Sequence, residues 1–597
     1  MRSLVSTLVL LLALVSACGD DDGMTTPPPP PPPPADTGPE PDSGPVDSGT
    51  DSGPVDSGPV DAGPPPGVPD RYCPGGEGCP DEGDGVLYVG AAALTVTPTI
   101  GPTTDVQTVD TNGDGEFNPA DGDEFDDRNG NGTFDGVWIA GFGNGRAASG
   151  VNDDQWARAI ALRNGATTLV LVSIDCVGYF KDQMDLIRDA LADEDIDYVS
   201  VTATHTHEAR DTLGIWGVDV GQTGIDPDYM VFLRERTVRA VRDAVAALEP
   251  ANVQYARFRV ADLEGGTRRF VGDARDPYII DDEFRMMRFV AAGTDTTIAT
   301  LLNWASHPEY TGDRNQLLSS DYPHWLREGI ENGVAGPDGM PVEGVGGIAV
   351  FYQGALGAQI GPASDVRLQR FDGTPVETDQ REAAETAGTQ LAYHALAALR
   401  GDGVVSDETA ALGFRTRSFF VDVQNRGYHI AFVTGLFQRE AYNWDPERAL
   451  IPGRNEPDIL TEVSVIDIGR AQIITIPGEL DPALFVGGYD GGYTPEDRPV
   501  VDTTLENPPD LSMAPEPPYL RDLAREDAEM VLLFGLTQDM LGYMVPEFDY
   551  ELDATAPYIE EAPGDHYEET NSVGIDGWPT IRRQIEGLLA WRPGDGS

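Results

Sequence analysis

Residues 199–207 read Val-Ser-Val-Thr-Ala-Thr-His-Thr-His, a β-branched run that ends in two imidazoles. A strand closing on such residues places potential metal ligands on a rigid base at the edge of a sheet, and this constrains the fold more than any other stretch. A third histidine, His307, ends a similar run, Leu-Leu-Asn-Trp-Ala-Ser-His-Pro. The chain holds only 7 histidines, so three at strand ends carry weight. Neutral imidazole suits zinc. Strand-like runs recur at 86–92, 157–162, 168–175, 253–260, 297–302, 347–352 and 471–476, and Asn164-Gly165 predicts a hairpin turn between two of them. Helical periodicity marks 181–193 and 228–248, and long helices are expected over 377–399 and 520–534. Strands alternating with helices predict an α/β fold, a large single domain with mixed β-sheets flanked by helices and a metal site at strand ends.

The N-terminus reads as an export signal over residues 1–17: Arg2, a short apolar run from Leu4 to Val15, then small residues. Val15-Ser16-Ala17-Cys18 resembles a bacterial lipobox and predicts lipidation of Cys18, hence an exported lipoprotein anchored at an outer membrane or cell surface. Residues 18–70 carry eight consecutive prolines and Pro-Val-Asp-Ser-Gly repeats, a composition that predicts a disordered tether. Residues 71–597 are expected to form one large domain. The net charge of −62 opposes binding to nucleic acid. Cys73 and Cys79 bracket a glycine-rich loop and are expected to form a local disulfide; Cys176 reads as a buried thiol.

An acidic, glycine-rich insertion occupies 105–136. Asp110, Asn112, Asp114 and Asp121 place oxygen side chains at alternating positions of an EF-hand-like loop, and Asp127, Asn129, Asn131 and Asp135 repeat the pattern. Short oxygen ligands around sharp glycine turns can wrap Ca2+, and the alternative is a solvated acidic loop.

Six blocks, in order, resemble the catalytic domain of the neutral/alkaline non-lysosomal ceramidases: Gly136–Phe142 with Asp154 and Ala157-Arg158-Ala159; Thr204-His205-Thr206-His207; Ala305-Ser306-His307-Pro308 with Leu318–Asp321; Ile476-Pro477-Gly478-Glu479; Gly542-Tyr543; and Tyr567-Glu568. The resemblance implies a Zn2+ site of His205, His307, Glu479 and Tyr543, and a lipid or small-molecule acyl-amide substrate, N-acylsphingosine among the candidates. It places His207 away from the ligand set, lining the substrate cleft as a proton carrier. Glu208 stands where the family has serine-glycine, and is expected to act as a base, repel phosphate or face water. Tyr567 is expected to donate to an oxyanion. The family's nucleophilic serine is missing. Ile360 or Gly361 falls at its place, with Ser364 just beyond, so metal-activated water becomes the expected nucleophile. A non-catalytic surface-binding protein that keeps the scaffold is the rival expectation.

Overall fold

The computed structural model describes residues 70–76, 85–378, 380–451 and 454–592. Cys18, the signal segment and nearly all of the tether lie outside them. Two mixed sheets stack face to face. The larger runs in the order Ile348–Gln353, Thr297–Trp304, Glu283–Ala291, Glu249–Arg259, Leu87–Thr95, Trp156–Asn164, Thr167–Ile174, Tyr198–Ala203, with Val405–Asp407 added beside Glu249–Arg259. Its interior pairs are antiparallel, and the outermost pair at each end is parallel. The smaller sheet runs Arg71–Cys73, Leu412–Asp422, Asp458–Ile468, Ala471–Thr475, Met530–Phe534, with only its last pair parallel.

The hydrophobic core forms where the two sheets meet. Leu87, Val89, Ile160, Leu162, Leu169 and Leu171 from one sheet pack on Ile466, Ile468, Ile473, Leu532 and Phe534 from the other. Strands buried on both faces read as continuous apolar runs, as Thr167–Ile174 does. Helices cover the outer faces. Pro227–Ala246 starts on an Asp226 cap with proline at its first turn, and it buries Leu233, Val238, Val241 and Ala244. Tyr322–Asn332 and Arg381–Leu399 cover the other end of the large sheet, and Gly577–Ala590 covers the small one. The predicted α/β architecture and the Asn164-Gly165 hairpin are both present.

One element differs from expectation. Residues 520–534 are not a helix: Leu520–Leu523 is a single 3-10 turn, and Met530–Phe534 is a strand parallel to Ala471–Thr475. A short apolar run has no periodicity that separates strand from helix, and here the sheet edge decided.

The membrane expectation is corrected in one respect: among the described residues no helix is long and apolar enough to cross a membrane. Cys73 is disulfide-bonded, and Cys79, its expected partner, lies outside the described residues. Cys176 is buried, as expected, and burial pushes its thiol pKa up.

The two sheet ends that carry histidines are far apart in strand order, yet they meet. Gln353 Nε2 donates to Thr204 O at 3.0 Å and to Ser306 O at 2.7 Å, tying together the residues that immediately precede His205 and His307. Ser173 Oγ donates to Phe351 O at 2.6 Å, so the edges of the large sheet curl toward each other.

Candidate metal centre

His205 follows Tyr198–Ala203, and His307 follows Thr297–Trp304. Glu479 opens the two-residue strand Glu479–Leu480, which pairs in parallel with Tyr543–Met544 so that Glu479 and Tyr543 stand side by side. Three of the predicted ligands, His205, His307 and Glu479, lie in contact around the Glu479 carboxylate, and Tyr543 stands beside them. Glu479 Oε2 lies 3.3 Å from His205 Nε2 and 3.1 Å from His307 Nε2, and Tyr543 Oη lies 3.5 Å from His307 Nε2.

His207 lines the same cavity as His205 and Glu479 but does not stand away from these residues. Its Nε2 lies 3.2 Å from His205 Nε2, and the imidazoles of His205, His207 and His307 form one cluster, a candidate metal-binding site among the described residues. Residues two apart share a face in extended chain. His205 leaves that conformation at φ 67°, but the turn returns His207 to the same cleft. Glu479 is not part of the group that the three imidazoles share.

The donors fit a metal ion. His205 Nδ1 faces Val177 O, and His307 Nδ1 faces Gln359 O at 3.0 Å. A ring nitrogen facing a carbonyl carries the proton, which leaves both Nε2 lone pairs directed at Glu479 and at each other's neighbourhood. Acceptors crowded this closely need a cation between them, and imidazole nitrogens with a carboxylate suit a borderline-soft divalent ion. Without the ion, protons take its part. Burial opposes charge on His307, yet its hydrogen bond to Glu479 raises its pKa to about 9. Burial works against the charged form of Glu479 too, but His205 and His307 hold it well below the usual carboxylate range. Burial lowers the pKa of His207 to about 4 despite a neighbouring carboxylate.

That carboxylate, Glu309, was not singled out by the sequence. Its Oε2 lies 3.1 Å from His207 Nδ1. The segment His-Pro-Glu shows no pattern marking it; only its position two residues beyond His307 could have drawn notice.

The other predicted residues separate. Tyr567 lines the cavity beside the cluster, its ring centroid 6.0 Å from that of Tyr543. Glu208 does not line it. It is fully buried behind His207, 3.5 Å from Arg146 Nη1 and accepting from Asn315 Nδ2 at 2.6 Å, and burial raises its pKa to about 8. No residue of 352–364 lines the cavity. Ile360 pairs with Gly272, Ser364 is exposed, and the stretch serves instead to orient His307 through Gln359 O. His324 stands apart, 3.6 Å from Asp153.

The acidic insertion folds as a small antiparallel hairpin, Val106–Val109 with Glu124–Asp126, over a cluster of Phe117, Phe134 and Trp138. Its side chains bond within their own loops: Asp110 accepts from Gly113 N and Gly115 N, Asn112 donates to Asp114, Asn118 donates to Asp121, and Asp127 accepts from Gly130 N and Gly132 N, while Asn129 and Asn131 donate to Asp135. Among the described residues no three of these carboxylates converge on one point, so the calcium expectation gains no support.

The cavity at the centre has a volume of about 360 Å³. Its lining includes His205, His207, Glu479, Tyr543 and Tyr567, and an apolar group of Phe180, Leu213, Trp216 and Phe437 that pack together.

No family model matches the chain, and no curated protein matches it in sequence. Solved structures do match. The neutral ceramidase from Pseudomonas aeruginosa superposes with a TM-score of 0.50 at 14% identity, over 85% of this chain and 74% of that one. A ceramidase complexed with C2 gives a TM-score of 0.51 at 14% identity, over 85% of this chain and 75% of that one. The chain shares their fold. At this identity the likeness extends to architecture over most of the chain, and function must be argued from the site.

Proposed function

We propose that this protein is a metal-dependent hydrolase of an amide or related acyl bond, with Zn2+ as the ion and an N-acyl lipid such as N-acylsphingosine within its substrate class. The observation that carries the reading is the cluster of three histidines beside a cavity lined by both polar and apolar side chains. His205, His307, Glu479 and Tyr543 would hold the ion. When bound, the ion would polarise the acyl carbonyl and make water a better nucleophile.

The remaining steps belong to the side chains. No serine or cysteine lines the cavity among the described residues, and its one threonine, Thr570, donates its hydroxyl to Tyr567 O at 2.7 Å. Water is therefore the attacking group. His207 Nε2 accepts the water proton as the oxygen–carbon bond forms, and returns it to the leaving nitrogen as the carbon–nitrogen bond breaks. Tyr567 donates its phenolic proton as a hydrogen bond to the carbonyl oxygen as negative charge builds there. The apolar wall of Phe180, Leu213, Trp216 and Phe437 takes the acyl chain. Glu208, on Arg146 and outside the cavity, has no part in the chemistry.

The test is turnover of a panel of N-acyl lipids and simple amides by the protein before and after metal removal. Hydrolysis that disappears with a chelator and returns with Zn2+ supports the reading. No metal-dependent turnover on any substrate refutes it and leaves a binding protein.

A further inference from the structure

Glu309 has no role in the steps above, yet its Oε2 is buried beside His207. Its Oε2 lies 3.1 Å from His207 Nδ1, and neither of these buried atoms has another hydrogen-bonding partner. Each polar atom thus depends on the other, because an unpaired buried group is costly.

Everything else around His207 fixes where the ring sits. Its backbone N–H donates to Pro308 O at 3.1 Å, which locks the histidine segment to the residue preceding Glu309. The Arg146 guanidinium donates to His207 O. Gly141, at φ 105°, leaves no room on the other side: a Cβ there would fall 2.4 Å from His207 Cβ. The ring of Phe142 meets the imidazole edge-on at 5.0 Å. These contacts confine the ring but do not choose its tautomer, which only a partner at a ring nitrogen can do.

We propose that Glu309 is a positioning residue: it holds His207 as the Nδ1–H tautomer, so that Nε2 presents a lone pair to the cavity, 3.2 Å from His205 Nε2. An imidazole nitrogen facing a carboxylate keeps its proton there, and the opposite nitrogen becomes the acceptor. The kinetic consequence rests on the hydrolase reading; the tautomer does not.

The chain's 7 histidines make the tautomer readable in 15N-histidine-labelled, metal-free protein by long-range 1H–15N correlation, with His207→Gln as the assignment control. Wild type should show Nδ1–H at His207, and Glu309→Gln should shift it to Nε2–H or a mixture. Glu309→Asp should restore part of the wild-type pattern. In the metal-loaded enzyme, Glu309→Gln should lower kcat at least about 100-fold, as expected when a proton acceptor is in the wrong tautomer. KM and bound metal should stay within about 2-fold of wild type, changes too small to explain that loss, and Glu309→Asp should recover part of kcat. A merely structural role would move the unfolding temperature and leave the tautomer alone. Should Glu309→Ala fail to fold, the isosteric Glu309→Gln carries the test. An Nε2–H tautomer in wild type, or an unchanged kcat in Glu309→Gln, overturns the proposal. Loss of metal from Glu309→Gln overturns it as well, since His207 would then be a ligand. If wild type turns over no substrate, the hydrolase reading falls, and the tautomer measurement alone decides the role of Glu309.

Discussion

Removing the His307 imidazole is the sharpest perturbation of the centre. The ring makes two directed contacts, Nδ1 to Gln359 O at 3.0 Å and Nε2 to Glu479 Oε2 at 3.1 Å, and Tyr543 Oη stands 3.5 Å from the same Nε2. His307→Ala therefore deletes one ligand and leaves Glu479 with His205 as its single imidazole neighbour. Free ion at about a thousand times the dissociation constant stabilises a folded protein by about 4 kcal/mol. Losing one strong ligand of a four-ligand site weakens binding by at least about 100-fold, or about 2.7 kcal/mol, leaving about 1.4 kcal/mol at the same ion concentration. With an unfolding entropy of about 2 cal/mol/K per residue, a folding unit of about 500 residues shifts by about 1 °C per kcal/mol. Zn2+ should thus raise the unfolding temperature of wild type by about 4 °C and that of His307→Ala by about 1–2 °C. The measurement is a thermal melt with and without Zn2+, beside metal content by mass spectrometry. His324→Ala, whose ring lies 3.6 Å from Asp153 and outside the cluster, should behave as wild type. Full metal content and an undiminished shift in His307→Ala would refute the site.

Stability should fall as pH rises from about 4 to 7. Burial raises the pKa of Asp211 to about 6 and those of Asp321, Asp549 and Glu568 to about 7, so the folded state holds protons that the unfolded chain has already released. The urea midpoint should be higher at pH 5 than at pH 8, and a flat or rising profile contradicts this. Arg275 lies buried among Glu569, Asp549 and Glu568 at 2.8, 2.9 and 3.4 Å. At pH 8, above those pKa values, Arg275→Met should cost about 3–5 kcal/mol in urea unfolding, because the carboxylates lose their counter-charge; a loss below about 1 kcal/mol would show that the carboxylates are hydrated instead. Pre-steady-state kinetics should show no burst of the first product, and Ser364→Ala should leave kcat unchanged, since Ser364 is exposed and outside the cavity. A covalent adduct on Ser364 would overturn the water-attack mechanism.

The segments that read clearly in sequence are those whose local pattern matches their final environment. Pro227–Ala246 has a cap, a proline and a buried face at helical spacing, and the strands on either side of Asn164-Gly165 have a turn that closes only one way. Met530–Phe534 has no such local signal, and its pairing with Ala471–Thr475 made it a strand. The same division holds at the site. His205, His307, Glu479 and Tyr543 could be singled out in sequence because each belongs to a distinctive local block; Glu479 lies against both imidazoles and Tyr543 near His307.

What amino-acid order alone determined is therefore the kind of chain this is: α/β, acidic, with imidazoles at strand ends and no serine in the stretch 352–362. What only tertiary structure decided is which side chains face one another. Glu208 and His207 are adjacent in sequence, yet Glu208 is buried on Arg146 while His207 joins the cluster. Glu309 meets His207 across 102 residues of chain through the pairing of two loops that Gln353 brings together. Backbone direction at a strand end follows from local residue preferences; the partner waiting there depends on how distant segments pack, and no local pattern encodes that.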